Sequence, residues 1–224
     1  MATLRLLLMM VIPLALVGKA SGQSQQQQTK ITQQYKIKAD WLGAFGGYVK
    51  WPEDVAPKET FVVGILGGNA FIERDQTGTV HDYLAEIATK KVGGKRIVVY
   101  QFNSIDDYKP CHVLFISPIP AAGRQADNVD ERLNAAIAKL KELNSQHVLL
   151  VSDTKGMVWK GTTIDFFYNP EMDRVNMLIN RDAEGRAGLT ISAEVLSLRV
   201  VKTVTDTDKD KPATDKKKRD AESN

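Results

Sequence analysis

Four short apolar runs, each bounded by glycine or by small polar residues, constrain this chain most. They are FVVGIL at 61–66, RIVVYQF at 96–102, CHVLFIS at 111–117 and HVLLVS at 147–152. Runs so short and so continuously apolar read as strands covered on both faces. Between the third and fourth lies the clearest helix. Val129, Leu133, Ala136, Ile137, Leu140 and Leu143 make one stripe, Asp127 or Asn128 can cap its start, and Asp130 and Glu131 suit its positive end. A second helix is expected over 80–90, before Gly94 leads into the next strand. Strand, helix and strand in repetition imply parallel pairing with helices on the sheet's faces.

The pattern then changes. Ile164/Phe166/Tyr168 and Val175/Met177/Ile179 alternate on either side of the turn-forming stretch from Asn169 to Asp173, which reads as a hairpin added to the sheet. Residues 191–201 read equally as a helix or as an extended segment. The expected fold is therefore α/β: a single domain with a mostly parallel sheet, flanking helices and a C-terminal antiparallel hairpin. Ahead of the strands, apolar residues recur at near-helical spacing over 31–51, and Pro52 ends the run. Gly43, Gly46 and Gly47 would each cost such a helix about 1 kcal/mol relative to alanine. Their presence predicts close packing by another stretch of backbone. A membrane pair is excluded, because Lys38, Asp40 and Lys50 would be stranded in lipid.

The two ends carry different signals. Arg5 precedes an almost unbroken apolar run at 6–17, and Gly18 and Ala20 sit at the −3 and −1 positions of a possible cut. That is the layout of a secretory signal peptide over 1–20. The run is short of the roughly 20 residues needed to cross a bilayer, and an uncleaved anchor is the alternative. Residues 21–30 read as a glutamine-rich spacer, 31–201 as the folded domain, and 202–224 as a disordered charged tail. The chain is thus expected to be periplasmic or otherwise exported, with no membrane span after cleavage.

Charge narrows the partners. Two basic residues fall in 1–20, and seven basic and six acidic ones in 202–224, so of 30 basic and 27 acidic residues the spacer and domain together, 21–201, keep 21 of each. A neutral domain offers no footprint for nucleic acid. The KKKR run at 216–219 is flanked by Asp215 and Asp220 and reads as a solvated tail. Cys111 is the only cysteine, so no intramolecular disulfide forms, and thiolate zinc sites are excluded. His81, His112 and His147 are too scattered to suggest a metal centre, and neither metal nor cofactor is expected.

Ligands of parallel sheets gather where strands end at their carboxyl edge. Asn69, Ser117, Ser152 and Asp153 stand at such ends, and they either line a pocket for a small polar ligand or cap the segments that follow. Gly67-Gly68 lacks the spacing of a dinucleotide or phosphate loop. Cys111 and His112 are adjacent strand residues and point to opposite faces, so they form no catalytic dyad. Ser152 has no nucleophile elbow around it, and nothing forces Asp153 and Asp165 together. No arrangement demands catalysis. Trp41, Phe45, Trp51 and Trp159 are core aromatics or anchors for a protein partner.

Six segments then point to a family. IKADWLGAFGGYVKWPED at 37–54, FVVGILGGNAF at 61–71, GGKRIVVYQF at 93–102, CHVLFIS at 111–117, HVLLVSDTKGM at 147–157 and INRDAEGRAGLTISAEVLSL at 179–198 together resemble the YfiR family of exported bacterial proteins. The resemblance implies a periplasmic, commonly dimeric α/β module without enzymatic activity. Such a module represses a membrane-bound diguanylate cyclase, or a related sensor such as a histidine kinase, by binding its periplasmic domain. It places Trp51-Pro52, Ser152-Asp153, Asn180, Gly188-Leu189 and Ile191-Ser192 at family positions. Gly43-Ala44 stands where many members have Tyr-Asn, Gly47 replaces a lysine, Ala193 a serine and Asp165 an asparagine. Cys111 matches a common cysteine position but has no internal mate. Trp41, Phe45 and Trp51 are the expected partner surface, and Asn69, Ser117, Ser152, Asp153 and Asn180 the expected ligand or partner edge. A periplasmic small-molecule-binding module using that edge is the alternative reading.

Overall fold

A computed structural model describes residues 20–75, 77–124 and 127–210. The expected leader, apart from Ala20, and the basic run of the tail lie outside these residues. The chain begins with α1 (Ala20–Tyr48), β1 (Val49–Lys50), β2 (Thr60–Leu66), β3 (Ile72–Arg74), β4 (Val80–Asp82), α2 (Tyr83–Ala88), β5 (Lys91–Val92) and β6 (Lys95–Phe102). There follow β7 (Val113–Ile116), α3 (Val129–Glu142), β8 (Leu149–Ser152), β9 (Ile164–Asn169), β10 (Arg174–Asn180), α4 (Arg181–Arg186), β11 (Thr190–Ile191), α5 (Ala193–Leu196) and β12 (Val201–Val204).

Eight strands form one sheet in the order β12-β10-β9-β8-β7-β2-β6-β5. β6, β2, β7, β8 and β9 run parallel. β10 returns antiparallel to β9, as the alternating pattern predicts, and β12 lies parallel to β10. The continuous apolar runs are explained by burial on two sides. Val113 and Phe115 of β7 join a cluster under α1 that holds Leu42, Phe45, Phe61, Ile65, Val151 and Phe166. Leu114 and Ile116, one residue out of step, join a second cluster with Leu133, Ala136 and Leu140 of α3. Burying each such large side chain is worth about 1.5–3 kcal/mol, so both faces must stay covered.

Local signals explain the helices. Asn128 accepts from the backbone N–H of Glu131 while Glu131 reaches back, a capping box at the start of α3. Asp82 caps α2 through Leu84 and Ala85. That cap shortens the helix expected over 80–90: Val80–Asp82 instead pairs antiparallel with Ile72–Arg74. α1 is longer than expected, since it takes in the glutamine-rich stretch read as a spacer. Glutamine is a good helix former, and nothing in that stretch breaks a helix. Residues 191–201 split into β11, α5 and the start of β12, and the fold continues past 201. There the Asp206 carboxylate accepts from the Asn180 Nδ2 at 2.7 Å. Among the described residues no helix is long and apolar enough to cross a membrane.

Gly43, Gly46 and Gly47 of α1 meet side chains rather than backbone. A Cβ on Gly46 would come within 2.6 Å of Val92 Cγ1 and 2.8 Å of Phe61 Cγ. The missing side chain lets α1 settle onto the strands.

Candidate functional site at the carboxyl edge

β2, β7 and β8 end side by side, and the segments leaving them carry four of the five expected edge residues. Three of the four hold their own turns. Asn69 Oδ1 accepts from the Phe71 N–H at 2.8 Å, Ser117 Oγ from the Ile119 N–H at 3.1 Å and Ser152 Oγ from the Thr154 N–H at 3.0 Å. Asn180 lies apart from them, at the end of the antiparallel β10. Its Oδ1 caps α4 through Asp182 and Ala183, and its Nδ2 donates to Val158 O at 2.8 Å. Four of the five are therefore engaged in shaping the chain, as Asn and Ser commonly are after strands.

Asp153 is different. Its Oδ2 stands 3.1 Å from Lys38 Nζ, and both side chains are almost fully buried. The same ammonium lies 4.5 Å from the centre of the Tyr35 ring. Burial, and then the charge of Asp153, push the Tyr35 phenol well above its ordinary range. Sequence reasoning missed Lys38 and Tyr35 as partners of Asp153. The available signal was a lysine on the apolar stripe formed by Tyr35, Leu42 and Phe45.

Arg132, also missed, is buried at the start of α3. Its Nη2 donates to Ser117 O at 2.7 Å and its Nη1 to Asp127 O at 3.0 Å. It ties α3 to the end of β7. Gly67, at φ +107°, makes room there: a Cβ would sit 3.2 Å from Arg132 Nε and 2.7 Å from Ile119 O.

The remaining candidates fall inside the protein. Burial pushes the Cys111 thiol up to about 12, which leaves almost no thiolate at neutral pH. His112 faces away from it, between Trp51 and Phe61, with ring centroids at 5.7 and 5.5 Å. The Val62 N–H donates to His112 Nδ1 at 2.9 Å, so the imidazole's proton is on Nε2, and burial holds its pKa below the ordinary value. Asp165 and Asp153 take separate partners. Asp165 accepts from the Val158 N–H at 2.9 Å and the Thr162 hydroxyl at 2.6 Å, and burial raises it to about 6. Among the described residues no cluster of three His, Cys, Asp or Glu could hold a metal ion.

The expected partner surface divides. Phe45 and Trp51 are core residues, Phe45 stacking on Phe166 and Trp51 edge-on to Phe61. Their burial corrects the expectation that they face a partner: the helix stripe that carries Phe45 is the one that covers the sheet. Trp41 stays partly accessible, 6.3 Å from the ring of Tyr48, which is 37% exposed. Two clefts open away from the carboxyl edge. One, of about 390 Å³, lies between α3 and α4 over Leu140, Val148 and Leu150. The other, of about 420 Å³, lies beside Trp51.

A sequence profile described as YfiR/HmsC-like matches residues 35–199. No curated protein matches the chain significantly. Among solved structures, a conserved domain protein from Vibrio cholerae O1 biovar El Tor aligns with a TM-score of 0.40 and 12% identity. That alignment covers 64% of this chain and 54% of the other, so the match spans about half the length of the solved protein.

Proposed function

The chain belongs to the YfiR/HmsC-like family of periplasmic regulators, and we propose that it acts as an exported binding module that represses a membrane-bound diguanylate cyclase. In this reading it docks on the periplasmic domain of the cyclase, or of a related sensor such as a histidine kinase, and lowers output while attached. The observation that carries it is the family match across residues 35–199, which takes in α1 from Tyr35 onward, strands β1 to β11 and α5. The geometry is in keeping with this. At the carboxyl edge Asn69, Ser117 and Ser152 are engaged by backbone amides and Asp153 by Lys38, which favours a scaffold role for that edge over a ligand pocket. The accessible aromatic pair on α1, Trp41 and Tyr48, is the surface we assign to the partner, since aromatics anchor protein interfaces.

Capture from cross-linked envelopes tests the reading. Tagged protein should recover a membrane protein with an extracytoplasmic sensor domain, and deletion of the gene should raise cyclic-di-GMP. Trp41→Ala with Tyr48→Ala should weaken capture while the chain still unfolds cooperatively, at a somewhat lower melting temperature because Trp41 also packs on Phe45. Recovery of no sensor, with cyclic-di-GMP unchanged on deletion, overturns it.

A further inference from the structure

The cleft of about 420 Å³ beside Trp51 lies at the opposite, amino edge of the sheet, where α1 gives way to β1 and where β6 begins. Its volume falls within the ~300–1,000 Å³ typical of small-molecule sites. Val49, Ala56 and Pro57 give it an apolar wall. Lys50 and Lys95 also line it, and neither ammonium has an ion-pair partner among the described residues. Lys36 and Lys90, by contrast, pair with Asp40, and Lys38 with Asp153. The one carboxylate in the lining is Glu53. A further polar group is left over here. Trp51 lines the cleft, and its indole N–H is shut away from solvent without an acceptor.

We propose that this cleft binds a small organic anion: a single carboxylate carried on a short apolar body. Two ammonium groups against one carboxylate leave a net single positive charge, which suits a singly charged ligand better than a doubly charged phosphate. The apolar wall takes the ligand's body and excludes water from the charge pair. The carboxylate is held by Lys50 and Lys95, beside the Trp51 indole. This site is independent of the partner surface on α1 and holds whichever membrane protein the chain regulates.

Octanoate is the probe and octan-1-ol its uncharged counterpart, titrated into the full ¹⁵N-labelled chain. The chain has three tryptophans, so three indole N–H resonances report. Octanoate should move one of them saturably, the one missing from Trp51→Phe, and octan-1-ol should leave it in place. Lys50→Gln with Lys95→Gln, both outside the core, should weaken octanoate binding by about tenfold or more. Three results would each overturn the proposal. They are no saturable indole shift up to about 10 mM, an equal response to octan-1-ol, and undiminished octanoate affinity in the double lysine variant. If Trp51→Phe fails to fold, the lysine variant and the alcohol control decide the question.

Discussion

Lys38 and Asp153, 115 positions apart, join α1 to the carboxyl edge of the sheet through an ion pair whose side chains are 6% and 3% exposed. Removing one member leaves the other charge buried and uncompensated. Asp153→Ala should therefore cost about 3–5 kcal/mol in urea unfolding. Lys38→Met combined with Asp153→Leu should recover most of that loss, because an apolar pair carries no desolvation penalty. Equal losses in the single and double variants would show that packing, not charge, matters at this contact.

Gly46 and Gly47 should respond in opposite directions to alanine. Alanine is about 1 kcal/mol better than glycine within a helix. At Gly47 the new Cβ would meet only Val92 Cγ2 at 3.3 Å, so stability should hold or rise. At Gly46 it would press to 2.6 Å on Val92 and 2.8 Å on Phe61. Overpacking costs about 1–3 kcal/mol, which outweighs the helix gain, and a net loss of about 1 kcal/mol is expected in urea melts.

Asp165 gives stability a pH dependence of definite sign. Burial raises its carboxyl to about 6 in the fold, above the usual carboxylate value of 3.8. Its contribution is therefore fully present below the unfolded pKa and is lost as pH rises through about 6. Asp165→Asn, which removes the titrating carboxyl at nearly constant shape, should remove this slope. The variant should gain most over the parent at pH 7, and the gain should shrink toward pH 4. A pH-independent difference in unfolding free energy would refute the assignment.

Asp206 should matter although it lies in a segment that reads as tail. It accepts from the buried Asn180 amide and pairs with Arg186 on α4. Asp206→Ala should cost about 1–3 kcal/mol, chiefly by leaving one of the two Asn180 amide N–H groups unpaired. An unchanged melting temperature would place the end of the cooperative unit before residue 205.

Strands β2, β6, β7 and β8, the α3 helix with a cap at Asp127 or Asn128 and the β9–β10 hairpin were all legible in the chain before any coordinates. Each depends on a pattern inside one short window: an apolar run, a period of 3.6 or of 2, or a capping side chain. The single α/β domain follows from their order. Tertiary structure alone decided that β12 closes the sheet beside β10 and that Val80–Asp82 is a strand. It also decided that Phe45 and Trp51 are core and that Asp153 is held by Lys38. These outcomes join residues far apart in sequence, and no local window records what a helix's apolar stripe will meet. Whether a polar group meets a partner depends on where the sheet register and the seat of α1 bring it, a sum over the whole packed chain.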